Sequence, residues 1–235
     1  MDKKVRVIEI KESVFNENKI EADELRLKLK QKNTFLINVM ASPGAGKTTT
    51  LIAIINKLKK KYKIGVMEAD IDSLVDSETI IEKTGCDAIQ IHTGGMCHLD
   101  AAMTNEGLNG FSSLDYDIIF LENVGNLVCP AEFDTGSHLN MNILSVPEGD
   151  DKPLKYPLMF QVCDIVLINK IDVKPYFNFD SNKVYENIKF RNKNADILEI
   201  SSLNNTGIDD VISLLEKKLL EWREKDAWTI WLCKS

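Results

Sequence analysis

Residues 35–48 read FLINVMASPGAGKT, an apolar run followed at once by a glycine-rich turn. The run predicts a buried strand, and the residues from Thr48 onward predict a helix. A glycine-rich turn between a strand and a helix points successive backbone N–H groups at phosphate oxygens, and the helix N-terminus adds partial positive charge. Ala41 stands where the usual pattern has its first glycine. We therefore expect a nucleoside triphosphate to bind Gly44, Ala45, Gly46, Lys47, Thr48 and Thr49.

Within this loop, Lys47 is expected to reach the β- and γ-phosphates, and the Thr48 hydroxyl is expected to hold Mg²⁺. A GTPase and a kinase that uses the same loop both fit this pattern. The loop alone does not choose between them.

Six further apolar runs of strand length alternate with helical stretches along the chain. Continuous apolar runs separated by helices are typical of a parallel sheet covered on both faces. We therefore predict an α/β fold, a three-layer α/β/α sandwich with a mostly parallel sheet, and a site at the carboxyl ends of its strands. The predicted strands are 35–40, 64–67, 88–91, 117–121, 141–146, 165–168 and 197–200, and the predicted helices are 48–61, 77–83, 98–108, 185–191 and 208–224.

The predicted organisation is one nucleotide-binding domain, residues 34–224, with short additions at both ends. Residues 1–33 hold an apolar stretch at 5–10 and a charged helix at 20–32, and they form an N-terminal strand and helix appendage. Residues 225–235 form a tail with two tryptophans and Cys233. The tail either docks on the domain or contacts a partner.

Charge and composition limit the classes of partner. The net charge of the 235 residues is −7, which argues against a general nucleic-acid or anionic-membrane surface. No apolar run approaches the roughly 18 residues of a membrane-spanning helix, and the first residues lack the apolar core of a signal peptide. The five cysteines are odd in number and scattered, which suits a reducing cytoplasm.

The base is predicted from residues 169–172, NKID, which follow a buried strand. The Asp172 carboxylate can accept two hydrogen bonds from the N1–H and 2-amino groups of guanine, whereas adenine offers no such donor pair. Lys170 would lie along the base plane, and backbone N–H groups near Ser201 and Ser202 would meet guanine O6. An NKID tetrapeptide alone also occurs as a strand-to-turn junction, but its place after a phosphate loop favours GTP.

Hydrolysis is predicted from the segments that follow two other strands. Glu122 and Gly125 occupy the place of the usual Asp-x-x-Gly, and Gly125 is free to turn its N–H toward a γ-phosphate. Asp70, Asp72 and Asp76 follow the second strand, where they either contact Mg²⁺ or serve as solvated charges and helix caps. These loops contain no obvious glutamine or arginine finger, so we expect slow intrinsic turnover that needs a second subunit or partner.

A soft-metal site is suggested by Cys97 and His98, adjacent residues at a predicted helix N-terminus where a thiolate is favoured. Cys129 lies just past Gly125. Thiolates and imidazole suit Zn²⁺, Ni²⁺ or Cu⁺, and three donors leave a site that a symmetric dimer would complete. The alternative is a buried cysteine beside a surface histidine. The remaining cysteines and histidines of the domain, Cys86, Cys163, His92 and His138, are expected to be core residues or lone histidines.

Five segments together resemble the HypB family of nickel-inserting hydrogenase maturation GTPases, members of the SIMIBI class of P-loop GTPases. They are ASPGAGKTT (41–49), IHTGGMCHLDA (91–101), ENVGNLVCPAEFD (122–134), SVPEGDDKPLKYP (145–157) and NKIDVKPYFNFD (169–180). The resemblance implies a GTP-dependent metallochaperone that assists nickel insertion into the precursor of [NiFe] hydrogenase. It also implies a homodimer promoted by nucleotide, with a nickel or zinc site at its interface, and a small HypA-like maturation partner.

The resemblance also implies roles for individual residues. Cys97, His98 and Cys129 would hold nickel or zinc, and Lys155 would contact nucleotide across the dimer. Lys47, Asp70, Asp76 and Glu122 would be catalytic, and Thr48, Asp70 and Glu122 would hold Mg²⁺. Asn169, Lys170 and Asp172 would bind guanine.

Two features depart from the family pattern. No cysteine precedes Cys86 and the chain has three histidines, so the tight N-terminal nickel store of some relatives is expected to be absent. Thr79 stands where the family has an arginine. Two alternative functions remain: a GTP-binding scaffold that moves no metal, and a chaperone GTPase for urease or for a cobalamin-dependent mutase.

Overall fold

The computed structural model describes residues 10–70 and 75–232. The strands are β1 Phe35–Ala41, β2 Ile64–Asp70, β3 Asp87–His92, β4 Ile118–Glu122, β5 Leu139–Ser145, β6 Ile165–Asn169 and β7 Asp196–Glu199. The helices are α1 Ile10–Gln31, α2 Lys47–Leu58, α3 Val75–Thr84, α4 Ala101–Asn109, α5 Cys129–Glu132, α6 Lys152–Lys155, α7 Pro157–Val162, α8 Ser181–Arg191 and α9 Ile208–Leu232. Two 3₁₀ segments, Val146–Glu148 and Ile171–Tyr176, follow β5 and β6.

The strands form one sheet in the order β3-β2-β4-β1-β5-β6-β7, and every pair is parallel. Parallel neighbours need crossover connections, which carry helices onto both faces of the sheet. The predicted three-layer α/β/α sandwich is confirmed, and all seven predicted strands are present. The carboxyl ends of the strands lie along one edge, with β1 at the centre between β4 and β5.

The central strand explains why the sequence pattern is continuous rather than alternating. All seven residues of β1 are buried, because both of its faces are covered. Ile37 and Val39 pack with residues of α2 and α9, whereas Leu36 packs with residues of α1 and α4. Each face therefore has its own apolar core.

Helix α1 is longer than predicted, and it docks on the domain. Ala22, Leu25 and Leu29 are buried, and α1 packs against α4. The predicted apolar stretch at 5–10 lies outside the described residues apart from Ile10, which begins α1. At the other end of the chain, the backbone of α9 continues to Leu232, and Cys233 lies outside the described residues.

Two further predicted helix starts are wrong. Helix α8 begins at Ser181 rather than at residue 185, because Asp180 caps its N-terminus by accepting hydrogen bonds from two N–H groups of the first turn. We expected a helix from His98, but α4 begins at Ala101, because Asp100 caps its N-terminus by accepting a hydrogen bond from the Met103 N–H at 2.8 Å. Cys97 and His98 therefore lie in the loop before the helix. The short helices α5, α6 and α7 were not predicted, since four to six residues show too little periodicity.

Across the described ranges, no helix combines the length and the apolar character that crossing a bilayer requires.

His138 precedes β5 and packs against the aromatic rings of Phe35 and Trp222, whose centroids lie 5.6 and 4.7 Å from its own. Its Nδ1 accepts a hydrogen bond from the Leu36 N–H at 3.1 Å. Burial lowers the pKa of His138 from 6.5 to about 4. The imidazole is therefore neutral in the folded protein and has a structural role.

The pKa of His138 predicts a loss of stability in mild acid. Because the folded-state pKa lies below the unfolded-state value, the unfolded chain takes up a proton first as the pH falls below about 6.5. Between pH 7 and pH 5 this difference should lower the free energy of unfolding by about 2 kcal/mol. Urea unfolding at both pH values should show this loss in the wild type and a smaller one in His138→Gln, which keeps an acceptor for the Leu36 N–H. Equal losses in both proteins would contradict the assignment.

Candidate nucleotide and metal site

The phosphate loop between β1 and α2 depends on a glycine immediately before the helix. Gly46 has φ of 96°, in the left-handed region. A Cβ on Gly46 would lie 2.7 Å from the Asn169 Nδ2 atom, so a side chain there is strained and also collides. The loop therefore closes around the N-terminus of α2, where backbone N–H groups and the helix dipole favour an anion.

Asn169 joins the phosphate loop to the predicted guanine site. Its side chain is fully buried, and its Nδ2 donates to the Ala45 carbonyl at 3.0 Å. Its Oδ1 accepts from the Ser202 N–H at 3.1 Å. Lys170 has φ of 63°, and its Nζ donates to the Gly44 carbonyl at 2.7 Å. The loops after β1, β6 and β7 are thereby bonded to one another.

The Asp172 carboxylate lies beside the loop after β7, where its Oδ1 accepts from the Ser201 hydroxyl at 2.5 Å. The structure thus brings together Asn169, Asp172, Ser201 and Ser202. The Ser201 and Ser202 N–H groups donate within the chain, to the Thr206 carbonyl and to Asn169. Their contact with guanine O6 stays a prediction, and it requires these bonds to be exchanged.

The predicted cation ligands Thr48 and Glu122 are in direct contact. The Thr48 hydroxyl donates to Glu122 Oε1 at 3.0 Å, and Glu122 is 1% exposed. Within the described residues, Glu122 Oε2 has no hydrogen-bond partner. Burial raises the pKa of Glu122 to about 7, and the positive charge of Lys47 opposes the rise. A buried carboxylate oxygen without a partner, beside a hydroxyl, fits a hard divalent cation such as Mg²⁺.

Asp70 ends β2, and Asp76 lies in the first turn of α3. Their negative charges also raise the pKa of Glu122, which places both near the same pocket. Asp72 lies outside the described residues. The carboxylates that the sequence indicated thus approach Glu122 from the neighbouring strand and helix.

Glu68 is a buried carboxylate that the sequence analysis did not single out. It pairs in register with Glu122 across β2 and β4, and it is 2% exposed. Burial raises the pKa of Glu68 to about 8. The available signal was a charged residue directly after the predicted strand 64–67, which the structure extends to Asp70. Two buried carboxylates, Glu68 and Glu122, therefore lie on neighbouring strands.

The three predicted ligands of a soft metal, Cys97, His98 and Cys129, lie close together. Cys97 lies in the loop after β3, and Cys129 begins α5 in the segment after β4. Their Sγ atoms are 2.7 Å apart, and Cys97 Sγ lies 3.9 Å from His98 Nδ1. One ligand atom from each of Cys97, His98 and Cys129 lies within 4.8 Å of the others, and all three residues are half-buried. This set can hold a thiophilic metal ion.

The electrostatics of the thiols differ from the prediction. We expected a helix N-terminus to favour the Cys97 thiolate, but the pKa of Cys97 is raised, first by its hydrogen bond with Cys129 and then by burial. The reason is that α4 begins three residues later than this prediction required. Burial lowers the pKa of His98, which favours the neutral imidazole that ligates metals.

A short segment connects the nucleotide and metal residues. A Cβ on Gly125 would lie 3.2 Å from Pro43 and 3.4 Å from Lys47 Nζ, so Gly125 packs directly on the phosphate loop. The next residue, Asn126, donates to the Cys97 carbonyl at 3.4 Å and accepts from the Val128 N–H at 2.8 Å. The phosphate loop and both thiol loops are therefore in contact through residues 125–129.

The remaining predicted residues lie farther from this arrangement or keep local roles. Lys155 is exposed and pairs with Asp151 at 2.5 Å. The Thr79 hydroxyl donates to the Val75 carbonyl within α3. Cys163 is buried in the core and His92 is exposed, while Cys86 is half-buried and packs at the edge of the core. The predicted contact of Lys155 with nucleotide across a dimer stays a prediction.

The fold and sequence both match known proteins. Residues 35–199 match the family model described as CobW/HypB/UreG, nucleotide-binding domain. The chain is 39% identical to the hydrogenase maturation factor HypB of Escherichia coli K12 over 211 residues, which cover 90% of this chain and 72% of that protein. It is 35% identical to the probable HypB of Methanocaldococcus jannaschii, over 92% of this chain and 98% of that protein.

Solved structures give the same answer. A HypB structure from Helicobacter pylori in complex with nickel superposes with a TM-score of 0.82 at 37% identity, covering 87% of this chain and 96% of that one. A structure of an LAO/AO transport system kinase, with a TM-score of 0.53 at 17% identity, shares the fold alone. The matched region contains the phosphate loop, the NKID residues and the cluster of Cys97, His98 and Cys129. The chain belongs to the HypB family of hydrogenase maturation factors, within the CobW/HypB/UreG nucleotide-binding proteins.

Proposed function

We propose that this protein is a GTP-hydrolysing nickel chaperone that assists nickel insertion into the precursor of [NiFe] hydrogenase. The observation that carries the proposal is the convergence of Cys97, His98 and Cys129 next to the segment that packs on the phosphate loop. Movement of Gly125 on loss of the γ-phosphate would move Cys129, four residues later. Nickel affinity would then depend on the bound nucleotide.

The chain's own residues would perform the GTPase step by positioning and charge. Lys47 and the backbone N–H groups of the phosphate loop bind the phosphates, and the Gly125 N–H binds the γ-phosphate. Thr48, Asp70 and Glu122 would hold Mg²⁺, which supplies charge neutralisation on the phosphates when bound. Asp76 adds a carboxylate beside them. In the described loops no glutamine or arginine is placed to orient water or offset charge, so turnover by a single chain should be slow.

We further propose that the metal site is completed by a second copy of the chain. Three ligands leave a nickel or zinc ion coordinatively unsaturated. The residues beside the thiols, Met96 and Val128, are 44% and 50% exposed, which fits an interface. In such a homodimer Lys155 would reach the partner's nucleotide. A hydrogenase large-subunit precursor and a HypA-like protein would be the further partners, in a reducing cytoplasm that keeps the thiols free.

The guanine assignment predicts a change of base specificity. Asp172→Asn replaces one of the two acceptor oxygens with an NH₂ group, so the pair of bonds to guanine N1–H and the 2-amino group cannot both be made and two donors face each other. We expect GDP affinity to fall on the order of 10²-fold or more, while xanthosine diphosphate, which offers an acceptor at that position, binds better than to the wild type. Titration of fluorescent GDP and competition with the xanthine nucleotide measure both. Unchanged GDP binding would remove Asp172 from the base site.

The metal proposal predicts a thiolate band that depends on nucleotide. Reduced, metal-free protein titrated anaerobically with Ni²⁺ should develop sulfur-to-nickel charge-transfer absorption, with an affinity that differs between GDP and a non-hydrolysable GTP analogue. Cys129→Ser should lose the band. Cys86→Ser, at the opposite edge of the sheet, should retain it.

Sedimentation measured in the same samples should show dimers favoured by the GTP analogue. A band that is absent in every nucleotide state would leave the GTP-binding scaffold as the better account. The band and GTP hydrolysis could both be normal while, in a deletion strain, a client other than hydrogenase lacks its metal. That result would favour the urease or mutase chaperone.

A further inference from the structure

Helix α1 makes contact with both loops that carry the metal-site thiols. Five of its residues recur on one face at spacings of three and four: Phe15, Asn18, Ala22, Leu25 and Leu29. The last three are buried in the domain. Phe15 and Asn18 extend the same face toward the loops after β3 and β4. The position of these loops therefore depends on the docking of α1.

Asn18 holds the loop that contains Cys97 and His98. It is 6% exposed, and its Oδ1 accepts a hydrogen bond from the Ala101 N–H at 2.9 Å. Ala101 is the first residue of α4, whose N–H has no partner within its own helix. Asn18 thus fixes the position at which α4 begins, four residues after Cys97.

Phe133 carries a second contact from α1 to the metal site. Its ring stacks on the His98 imidazole with centroids 3.8 Å apart and an angle of 15° between the planes. The Phe15 ring of α1 lies on Phe133 with centroids 5.1 Å apart. The orientation of His98 is therefore set by a row of three rings that begins on α1.

The loop after Cys129 is fixed to α1 by charge and by close packing. Arg26 pairs with Asp134, and its Nε donates to the Ser137 carbonyl at 2.9 Å. A Cβ on Gly136, whose φ is 73°, would lie 2.8 Å from Leu25, so only glycine admits the helix this closely. The segment from Cys129 to Ser137 is thereby bound at its far end.

We propose that α1 is a clamp that sets the geometry and the metal affinity of the Cys97, His98 and Cys129 site, with Asn18 and Phe133 as its positioning residues. The inference rests on the proposed metal function for its consequence, but the clamp itself is a property of the metal-free chain. With α1 docked, one ligand atom from each of the two thiols and the imidazole lies within 4.8 Å of the others before metal arrives. Displacement of α1 would separate the loops and release the metal.

The first test needs no metal. The rates at which iodoacetamide modifies Cys97 and Cys129 in reduced, metal-free protein are measured by peptide mapping, which resolves each cysteine. Asn18→Ala should raise these rates about fivefold or more, because a buried N–H loses its partner and the loop opens more often. Asn18→Asp, which keeps the acceptor oxygen near a helix N-terminus, should restore the wild-type rates.

Lys28→Ala is the matched control, since Lys28 joins α1 to α4 through Asn105, at 2.8 Å, and does not contact the loops. Its rates should equal those of the wild type. Cys163, buried in the core, reports global unfolding in every variant. If Asn18→Ala speeds modification of Cys163 as well, Phe133→Leu, which removes the ring stack but keeps an apolar side chain, decides the question.

The second test measures Ni²⁺ affinity and the charge-transfer band in the same variants. Asn18→Ala and Phe133→Leu should weaken nickel binding about tenfold, as expected for partners that orient metal ligands. Nickel affinity should stay unchanged in Lys28→Ala, and Mg²⁺-dependent GTP hydrolysis without nickel should stay unchanged in all three variants. Thiol modification rates that are equal in the wild type, Asn18→Ala and Phe133→Leu would overturn the clamp. If the wild-type protein binds no nickel through its thiols, the proposed function is refuted. The modification rates then still test whether α1 holds the two thiol loops in place.

Discussion

Parallel pairing of the strands is the constraint on which the remaining structure depends. Each parallel neighbour requires a crossover, so successive strand ends return to one edge of the sheet. The phosphate loop follows β1, Glu122 and Gly125 follow β4, NKID follows β6, and Cys97 follows β3. Residues separated by more than a hundred positions therefore meet without any long-range recognition between their side chains. An antiparallel hairpin anywhere in this order would move one of them to the opposite edge.

The same edge of the sheet contains buried polar side chains. Asn169 offers both an amide donor and an acceptor, and each is used by a different loop, at Ala45 and at Ser202. Loss of either bond leaves a buried polar group unsatisfied, which costs about 1–3 kcal/mol. Glu122 differs, because one of its oxygens keeps no partner in the described residues. Asn169 is thus satisfied within the chain, whereas the remaining oxygen of Glu122 would be satisfied by a bound cation.

The sequence predicted the features that repeat or that have a fixed spacing. Strand-length apolar runs located all seven strands, and the glycine-rich turn located the phosphate loop. The sequence did not reveal Glu68, because a carboxylate at the end of an apolar run reads as the start of a loop until its register with Glu122 is known. It also misplaced the helix after His98. The choice between His98 and Ala101 depended on Asp100 as a cap and on Asn18, a partner 83 positions away.

The pKa of Cys97 depends on where this residue lies relative to the start of α4. A thiol at a helix N-terminus loses its proton easily, whereas a thiol bonded to a second thiol keeps it. With the loop held before α4 rather than within it, the hydrogen bond to Cys129 and burial both favour the protonated form of the Cys97 thiol. A soft metal ion bound there would displace thiol protons, so metal capture would release protons and weaken as the pH falls. Any rearrangement of residues 125–129 that separates the thiols alters that exchange. Because Gly125 packs on Pro43 and Asn126 bonds to the Cys97 carbonyl, a change at the phosphate loop has a direct physical route to it.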